Sequence, residues 1–366
     1  LINEKPEMDL DSITLNITNK CNLKCKWCYN VDNNKPEIDT QSLINALSEI
    51  RKSNVNLIIL GGEPFFDFER VEKVIIAANK YFKNPVLIST NGTLLNRKKI
   101  KKLRKYNIHI QVSLDSPYEK ENDIIRGIGV FTKAFENIKL LVEYGVYTII
   151  SMVFTKNNYK TIPDLLKLGK DLKVNEVRFI PLRLMGKGAD YIDYLPNLYE
   201  IFNYLYNLPS FIKYSNLLKR DFFSFLYNHC RYTNNSQNCG IGYRFVFIDA
   251  DGNVYPCPNH KNENYIAGNI KESGINRIIE EAKVFNYIRV SYDINKYKSC
   301  KQCYVSPWCL GDCRGEINQV FNDINKPCFH CAEFKMLIVD MFFLFGNKKT
   351  NLFSDDLKNK LHFHHN

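Results

Sequence analysis

Residues 13–29 read Ile13-Thr14-Leu15-Asn16-Ile17-Thr18-Asn19-Lys20-Cys21-Asn22-Leu23-Lys24-Cys25-Lys26-Trp27-Cys28-Tyr29. An apolar, β-rich run ends in three cysteines spaced C-x3-C-x2-C. Three thiolates on one short loop can hold three irons of a four-iron four-sulfur cluster and leave the fourth iron without a protein ligand. An open iron is a site for chemistry. The competing reading is a zinc knuckle or free buried thiols, but zinc loops usually pair C-x2-C with a second such pair, and a structural zinc site is closed by a fourth ligand.

Outward from that loop, residues 13 to about 181 alternate short apolar runs with amphipathic ones. The runs Ile13–Ile17, Leu57–Leu60, Pro85–Ser89, Ile108–Leu114, Thr148–Phe154 and Glu176–Pro181 predict strands. Helices are predicted between them over Gln41–Lys52, Glu69–Phe82, Arg97–Tyr106, Phe131–Tyr144 and Ile162–Leu172. Alternation of this kind builds successive βαβ units on a parallel sheet, an α/β fold. Ligands of such sheets bind beyond the carboxyl ends of the strands.

Polar motifs fall at those ends. Gly61-Gly62-Glu63-Pro64 follows the second strand, and its two glycines leave carbonyls uncovered for an ammonium group. Ser89-Thr90-Asn91-Gly92-Thr93 follows the third; a helix-initiating turn capped by Thr93 is the alternative there. Ser113-Leu114-Asp115-Ser116 ends the fourth, and Arg126-Gly127 lies eleven residues further on in a polar loop. A planar guanidinium can grip both oxygens of a carboxylate.

Together these residues resemble the radical S-adenosylmethionine (radical SAM) superfamily, in which an aromatic residue also commonly precedes the last cysteine. The resemblance implies a partial (β/α)6 barrel with a cluster on Cys21, Cys25 and Cys28. It implies that the amino and carboxylate groups of SAM chelate the open iron, and that reductive cleavage gives a 5′-deoxyadenosyl radical that takes hydrogen from a substrate. Gly61, Gly62, Glu63 and Pro64 would receive the SAM amino group, and Ser89 and Asn91 would position SAM. Ser113 and Arg126 would face its ribose and carboxylate. Ser151 and Leu182 fall where the family contacts ribose and adenine.

A loop, Arg183-Leu184-Met185-Gly186-Lys187-Gly188, closes the barrel, and a helical stretch is predicted from about Asn197 to Tyr227. Cysteines then return at Cys230, Cys239, Cys257, Cys300, Cys303, Cys309, Cys313, Cys328 and Cys331. Cys239-x12-Gly252-x4-Cys257 followed by Cys300-x2-Cys303-x5-Cys309-x3-Cys313 resembles the SPASM domain of radical SAM enzymes that act on peptides and proteins. Two auxiliary four-iron clusters are implied, making three in all. One takes Cys239, Cys257 and Cys313 with Cys230 as fourth ligand; the other takes Cys300, Cys303, Cys309 and Cys331. Cys331-Ala332-Glu333-Phe334-Lys335 resembles the family's closing segment, so Cys328 is left spare. A zinc ribbon would pair Cys300 and Cys303 with Cys328 and Cys331, leaving the other cysteines unexplained. A hairpin, Phe245–Ile248 and Val254-Tyr255 about a turn at Gly252, is predicted to deliver Cys257.

The expected organisation is a barrel over 1–190, a helical linker over 191–228, a SPASM domain over 229–345 and a polar tail over 346–366. Twelve cysteines without a secretory signal argue for metal ligation in a reducing compartment. No apolar run reaches the ~20 residues of a membrane span; Met336–Phe345 is interrupted by Asp340. A cytoplasmic protein without membrane contact is expected. Fifty basic against 39 acidic residues give +11. Three clusters would lower the charge of the loaded chain to about +6. Without an arginine stripe or basic-aromatic platform, that excess does not predict nucleic-acid binding.

The resemblance further implies a peptide substrate, a flavodoxin- or ferredoxin-type electron donor, and a crosslinking maturase. With about 12 residues before the first strand, leader recognition is expected to fall to a separate protein or to the barrel. The sulfatase-maturing branch, which makes formylglycine, places an aspartate after the hairpin cysteine; Pro258 stands here. A noncatalytic iron–sulfur or zinc scaffold is the alternative outside the enzymes, and a scaffold has no need of Gly61–Pro64 or Arg126.

Overall fold

The computed structural model describes residues 8–31, 35–219 and 239–346. Six apolar runs form the expected strands: β1 Ser12–Asn16, β2 Asn56–Leu60, β3 Val86–Thr90, β4 Ile108–Ser113, β5 Tyr147–Phe154 and β6 Glu176–Pro181. They pair in sequential order, all parallel, with Ile13 opposite Leu57 and Ile110 opposite Thr148. Strands covered on both faces need apolar side chains on both. Ile13, Leu15, Ile59, Ile88, Ile110, Ile150 and Val177 are accordingly buried.

Helices return the chain between strands: α1 Thr40–Glu49, α2 Phe68–Tyr81, α3 Arg97–Leu103, α4 Glu119–Arg126, α5 Val130–Glu143 and α6 Ile162–Asp171. Asp39, Asp67 and Asn96 accept the first free N–H groups of α1, α2 and α3. Helix α4 is not among the predicted helices. It is polar apart from Ile124 and Ile125, and among its residues only Asn122 and Ile125 are buried, so no apolar stripe marks it. The stretch after the barrel forms α7 Leu198–Tyr206, α8 Pro209–Tyr214 and a 3-10 turn Ser215–Leu217; residues 220–227 of that predicted helix lie outside the described residues.

The cysteine-rich segment enters the same sheet. Strand β7, Phe245–Ile248, lies parallel to β1 with Ile13 opposite Val246. Strands β8 (Asn253–Tyr255) and β9 (Gly268–Asn269) then pair antiparallel, giving the order β6-β5-β4-β3-β2-β1-β7-β8-β9. The hairpin is where the sequence predicts it. Its docking beside β1 puts the end of β7 in line with the ends of the barrel strands. A helix over Cys331–Gly346 folds back on α7, where Tyr199 donates its hydroxyl to Asp340 at 2.9 Å. Among the described residues no helix is long and apolar enough to cross a membrane.

Candidate cluster and cofactor site

The first cysteine loop crosses the carboxyl end of β2. Gly62 donates its N–H to Thr18 O at 2.7 Å, and Glu63 donates its own to Lys20 O at 2.8 Å. A β-carbon on Gly61 would stand 2.6 Å from Thr18 O, and one on Gly62 2.6 Å from Asn19 O. The two glycines are therefore demanded first by the loop that lies over them. Glu63 is fully buried. Its Oε1 accepts from Phe65 N–H at 3.0 Å and Thr90 Oγ1 at 2.6 Å, and its Oε2 from Asn91 N–H at 2.8 Å. Burial raises its pKa against these bonds. Glu63 thus braces the β2 loop against the β3 loop, and any ammonium ligand shares it with three protein donors. Pro64 is buried and opens the turn that follows.

The tip of β3 grips the same loop. Asn91 donates to Asn22 Oδ1 at 3.0 Å, and Asn22 donates to Thr93 Oγ1 at 2.9 Å. Ser89 accepts from Gln111 at 3.4 Å. Ser113 and Ser151 are register partners at the ends of β4 and β5. Leu182, buried just past β6, donates its N–H to Phe154 O at 2.9 Å.

The expectation that Arg126 lies in a polar loop is corrected. It ends α4 with a side chain only 11% exposed, its Nε 2.9 Å from Asp115 Oδ2. A guanidinium is buried only with an anionic partner or polar acceptors around it. Asp115 is itself fixed by Val153 N–H at 2.8 Å, and Lys26 N–H donates to Ile125 O at 3.0 Å. Burial lowers the Arg126 pKa, but the fields of Asp115, Cys25 and Cys28 outweigh it and the net shift is upward. Arg126 therefore places a permanent cation beside the loop thiols.

The Arg183–Gly188 loop is pinned over Cys28. Lys187 N–H donates to Cys28 O at 3.0 Å, and Gly186 adopts φ +56° where a β-carbon would meet that carbonyl. Trp27 packs edge-on against Tyr191. On the other side Asn16 donates to Asn19 Oδ1 at 2.8 Å and to Asp249 Oδ1 at 2.6 Å, and Asn30 donates to Asn19 Oδ1 at 3.1 Å. Asp249, fully buried, pairs with Lys261 at 3.0 Å. Tyr29 donates its hydroxyl to Pro258 O. This polar scaffold joins the two cysteine fields; its only trace in sequence is a polar residue at the end of each apolar strand.

Cys239, Cys257 and Cys313 lie close enough to act on one another electrostatically. Burial pushes the Cys239 thiol up to about 11. Asn259 Nδ2 donates to Cys313 Sγ at 3.1 Å. Cys300, Cys309 and Cys331 form a second group, and Cys303 donates its N–H to Cys300 O at 3.0 Å. Cys328, which the pattern leaves unassigned, is buried and in hydrogen-bond contact with Cys309 and Cys331. Cys230 lies outside the described residues.

The donor sets fit iron–sulfur clusters. Among the described residues no three Cys, His, Asp or Glu side chains converge as closely as a single metal ion requires. A cluster carrying its own sulfides spaces its thiolates more widely than one zinc ion does. Cys21, Cys25 and Cys28 are half-buried, with Arg126 beside two of them, as an anionic cluster needs.

The chain matches the family model of the Radical SAM superfamily over residues 15–169 and that of an iron-sulfur cluster-binding domain, SPASM, over residues 239–304. It is 29% identical over 351 residues to a cysteine-type anaerobic sulfatase-maturating enzyme of Clostridium novyi, covering 87% of this chain and 91% of that one. It is 28% identical over 321 residues to the mycofactocin maturase MftC of Mycolicibacterium smegmatis, covering 85% and 80%. The solved structure of native anSMEcpe with bound AdoMet and Cp18Cys peptide shares the fold, with a TM-score of 0.72 at 22% identity over 93% of this chain and 99% of that one.

Proposed function

The chain belongs to the radical SAM superfamily and carries a SPASM domain, and from that premise we propose that it installs an intramolecular bond in a ribosomally made peptide. It is an enzyme of a family whose members act on peptides or proteins; the bond and the substrate are our reading. With a cluster and SAM bound, the site would offer radical chemistry for taking hydrogen from the substrate. Cys21, Cys25 and Cys28 hold that cluster. The Gly61–Gly62 backbone receives the SAM amino group, Arg126 its carboxylate, and Ser89, Asn91, Ser113, Ser151 and Leu182 contact the rest. Two auxiliary clusters sit on Cys239, Cys257, Cys313 and Cys230, and on Cys300, Cys303, Cys309 and Cys331. A flavodoxin- or ferredoxin-type protein delivers electrons.

The observation that carries the crosslinking reading is Pro258. It follows Cys257 directly, where the sulfatase-maturing branch has an aspartate, and its carbonyl is taken by Tyr29. No titratable group stands at that position. The second reading, formylglycine formation, draws on the Clostridium novyi likeness along most of the chain. Reconstituted enzyme, SAM and reductant incubated with candidate peptides separate the two. A product lighter by two hydrogens and inert to hydrazine supports the crosslink; an aldehyde that captures hydrazine establishes formylglycine and overturns it.

A further inference from the structure

A buried pair, Tyr297 and Arg314, lies within electrostatic reach of both groups of auxiliary thiols. Tyr297 is 1% exposed and Arg314 4%, and the guanidinium carbon lies 4.3 Å from the centroid of the tyrosine ring. Arg314 Nη1 donates to Ile324 O at 2.9 Å and Lys326 O at 2.8 Å, and Nη2 donates to Gly311 O. Its Nε and the Tyr297 hydroxyl, both buried, have no hydrogen-bond partner. Among the described residues no carboxylate pairs with Arg314. The acids flanking it in sequence, Asp312 and Glu316, are turned to Arg183 at 3.3 Å and 2.8 Å.

A buried cation met by carbonyls and a ring but by no carboxylate is costly, and so is a buried hydroxyl with nothing to bond. Both deficits are relieved by one kind of neighbour, an anionic cluster with sulfur acceptors. Position supports this. Tyr297 is near enough to Cys239 and Cys300 for charge on those thiols to act on it, one from each proposed ligand set. Arg314 acts in the same way on Cys300 and Cys331 and directly follows Cys313.

We propose that Tyr297 and Arg314 form a shared outer shell for both auxiliary clusters, donating hydrogen bonds to cluster sulfur and supplying the buried counter-charge that sets their reduction potentials. The inference rests on the two-cluster reading above. Donors and positive charge beside the sulfurs stabilise the reduced, more negative state and raise the potential. Removing them lowers it.

The test is an anaerobic redox titration of the reconstituted full chain, followed by electron paramagnetic resonance, with iron and sulfide counted in each sample. Tyr297→Phe is expected to keep the parent's iron and its SAM-responsive signal and to move an auxiliary midpoint to more negative potential. Arg314→Gln is expected to move auxiliary midpoints the same way. Loaded variants that titrate at the parent's potentials would overturn the inference. So would loss of auxiliary iron from Tyr297→Phe, which would make the ring a packing element. A parent chain holding only about four iron would instead defeat the two-cluster reading, a result distinct from unmoved potentials in a fully loaded chain.

Discussion

Asn16 at the end of β1 donates to Asp249 at the end of β7 at 2.6 Å, and both side chains are buried. One strand hands the chain to the first cysteine loop and the other to the hairpin that carries Cys257. The same asparagine bonds Asn19 inside the first loop. Two cysteine fields are thereby tied together by one side chain, on adjacent parallel strands, through a bond between residues 233 apart in the chain.

Asp249→Ala removes one of the two acceptors of Asn16 and the carboxylate that pairs with Lys261, whose side chain is 14% exposed. Breaking a buried pair from one side costs about 3–5 kcal/mol. Chemical denaturation of the apo chain should show that loss. Asp249→Asn keeps an acceptor for Asn16 and should lose less. Equal stability of all three chains would make the Asn16–Asp249–Lys261 group incidental.

Glu316 holds the loop after β6 to the helix after Cys313. Its Oε2 lies 2.8 Å from Arg183 Nη1, and its Oε1 accepts from Leu184 N–H at 2.6 Å. Glu316→Ala leaves Arg183 with Asp312 alone, at 3.3 Å, and strands a buried N–H. The expected loss is about 3 kcal/mol, read as a lower melting temperature. Asp312→Ala keeps the shorter contact and should cost less; the reverse order would show that Asp312 is the main anchor.

The barrel strands are legible in sequence because strands covered on both faces read as unbroken apolar runs, and β6 falls where its run does. Helix α4 is not legible. Its residues are chosen to seat Arg126 against Asp115 rather than to cover a core, so periodicity is silent and the arginine reads as solvated. The pairing of β7 with β1 has no local signal, since any register between distant runs is compatible with their composition. Gly61 and Gly62 are legible in sequence as a motif for ligand approach; that the crossing of Thr18–Lys20 requires them as well has no trace in the sequence.

Gly62→Ala tests that requirement. The added methyl would meet the backbone of the crossing, 2.6 Å from Asn19 O. Backbone yields poorly, and overpacking of this kind costs about 1–3 kcal/mol. The displaced segment leads straight into Cys21, so the variant should lose the SAM-responsive cluster signal and SAM cleavage while keeping its auxiliary iron. Wild-type cleavage in Gly62→Ala would show that the loop has room to move.

Cys328 and Cys331 offer the last distinction. Cys328 lies within hydrogen-bond reach of Cys309 and Cys331, and Cys331 lies within electrostatic reach of Cys300. A hydrogen bond with Cys328 lowers the Cys331 pKa against its partial burial. Burial favours Cys331 as the ligand and Cys328 as its neighbour, because Cys328 is enclosed while Cys331 is partly exposed at the start of its helix. Iron per chain decides it after anaerobic reconstitution. Cys328→Ser should keep about 12 iron and 12 sulfide with little zinc, and Cys331→Ser should fall toward about 8. If Cys328→Ser is the one that loses iron, the ligand is reassigned to Cys328. About four iron with one zinc in the parent would instead mean a zinc-bearing tail behind a single cluster.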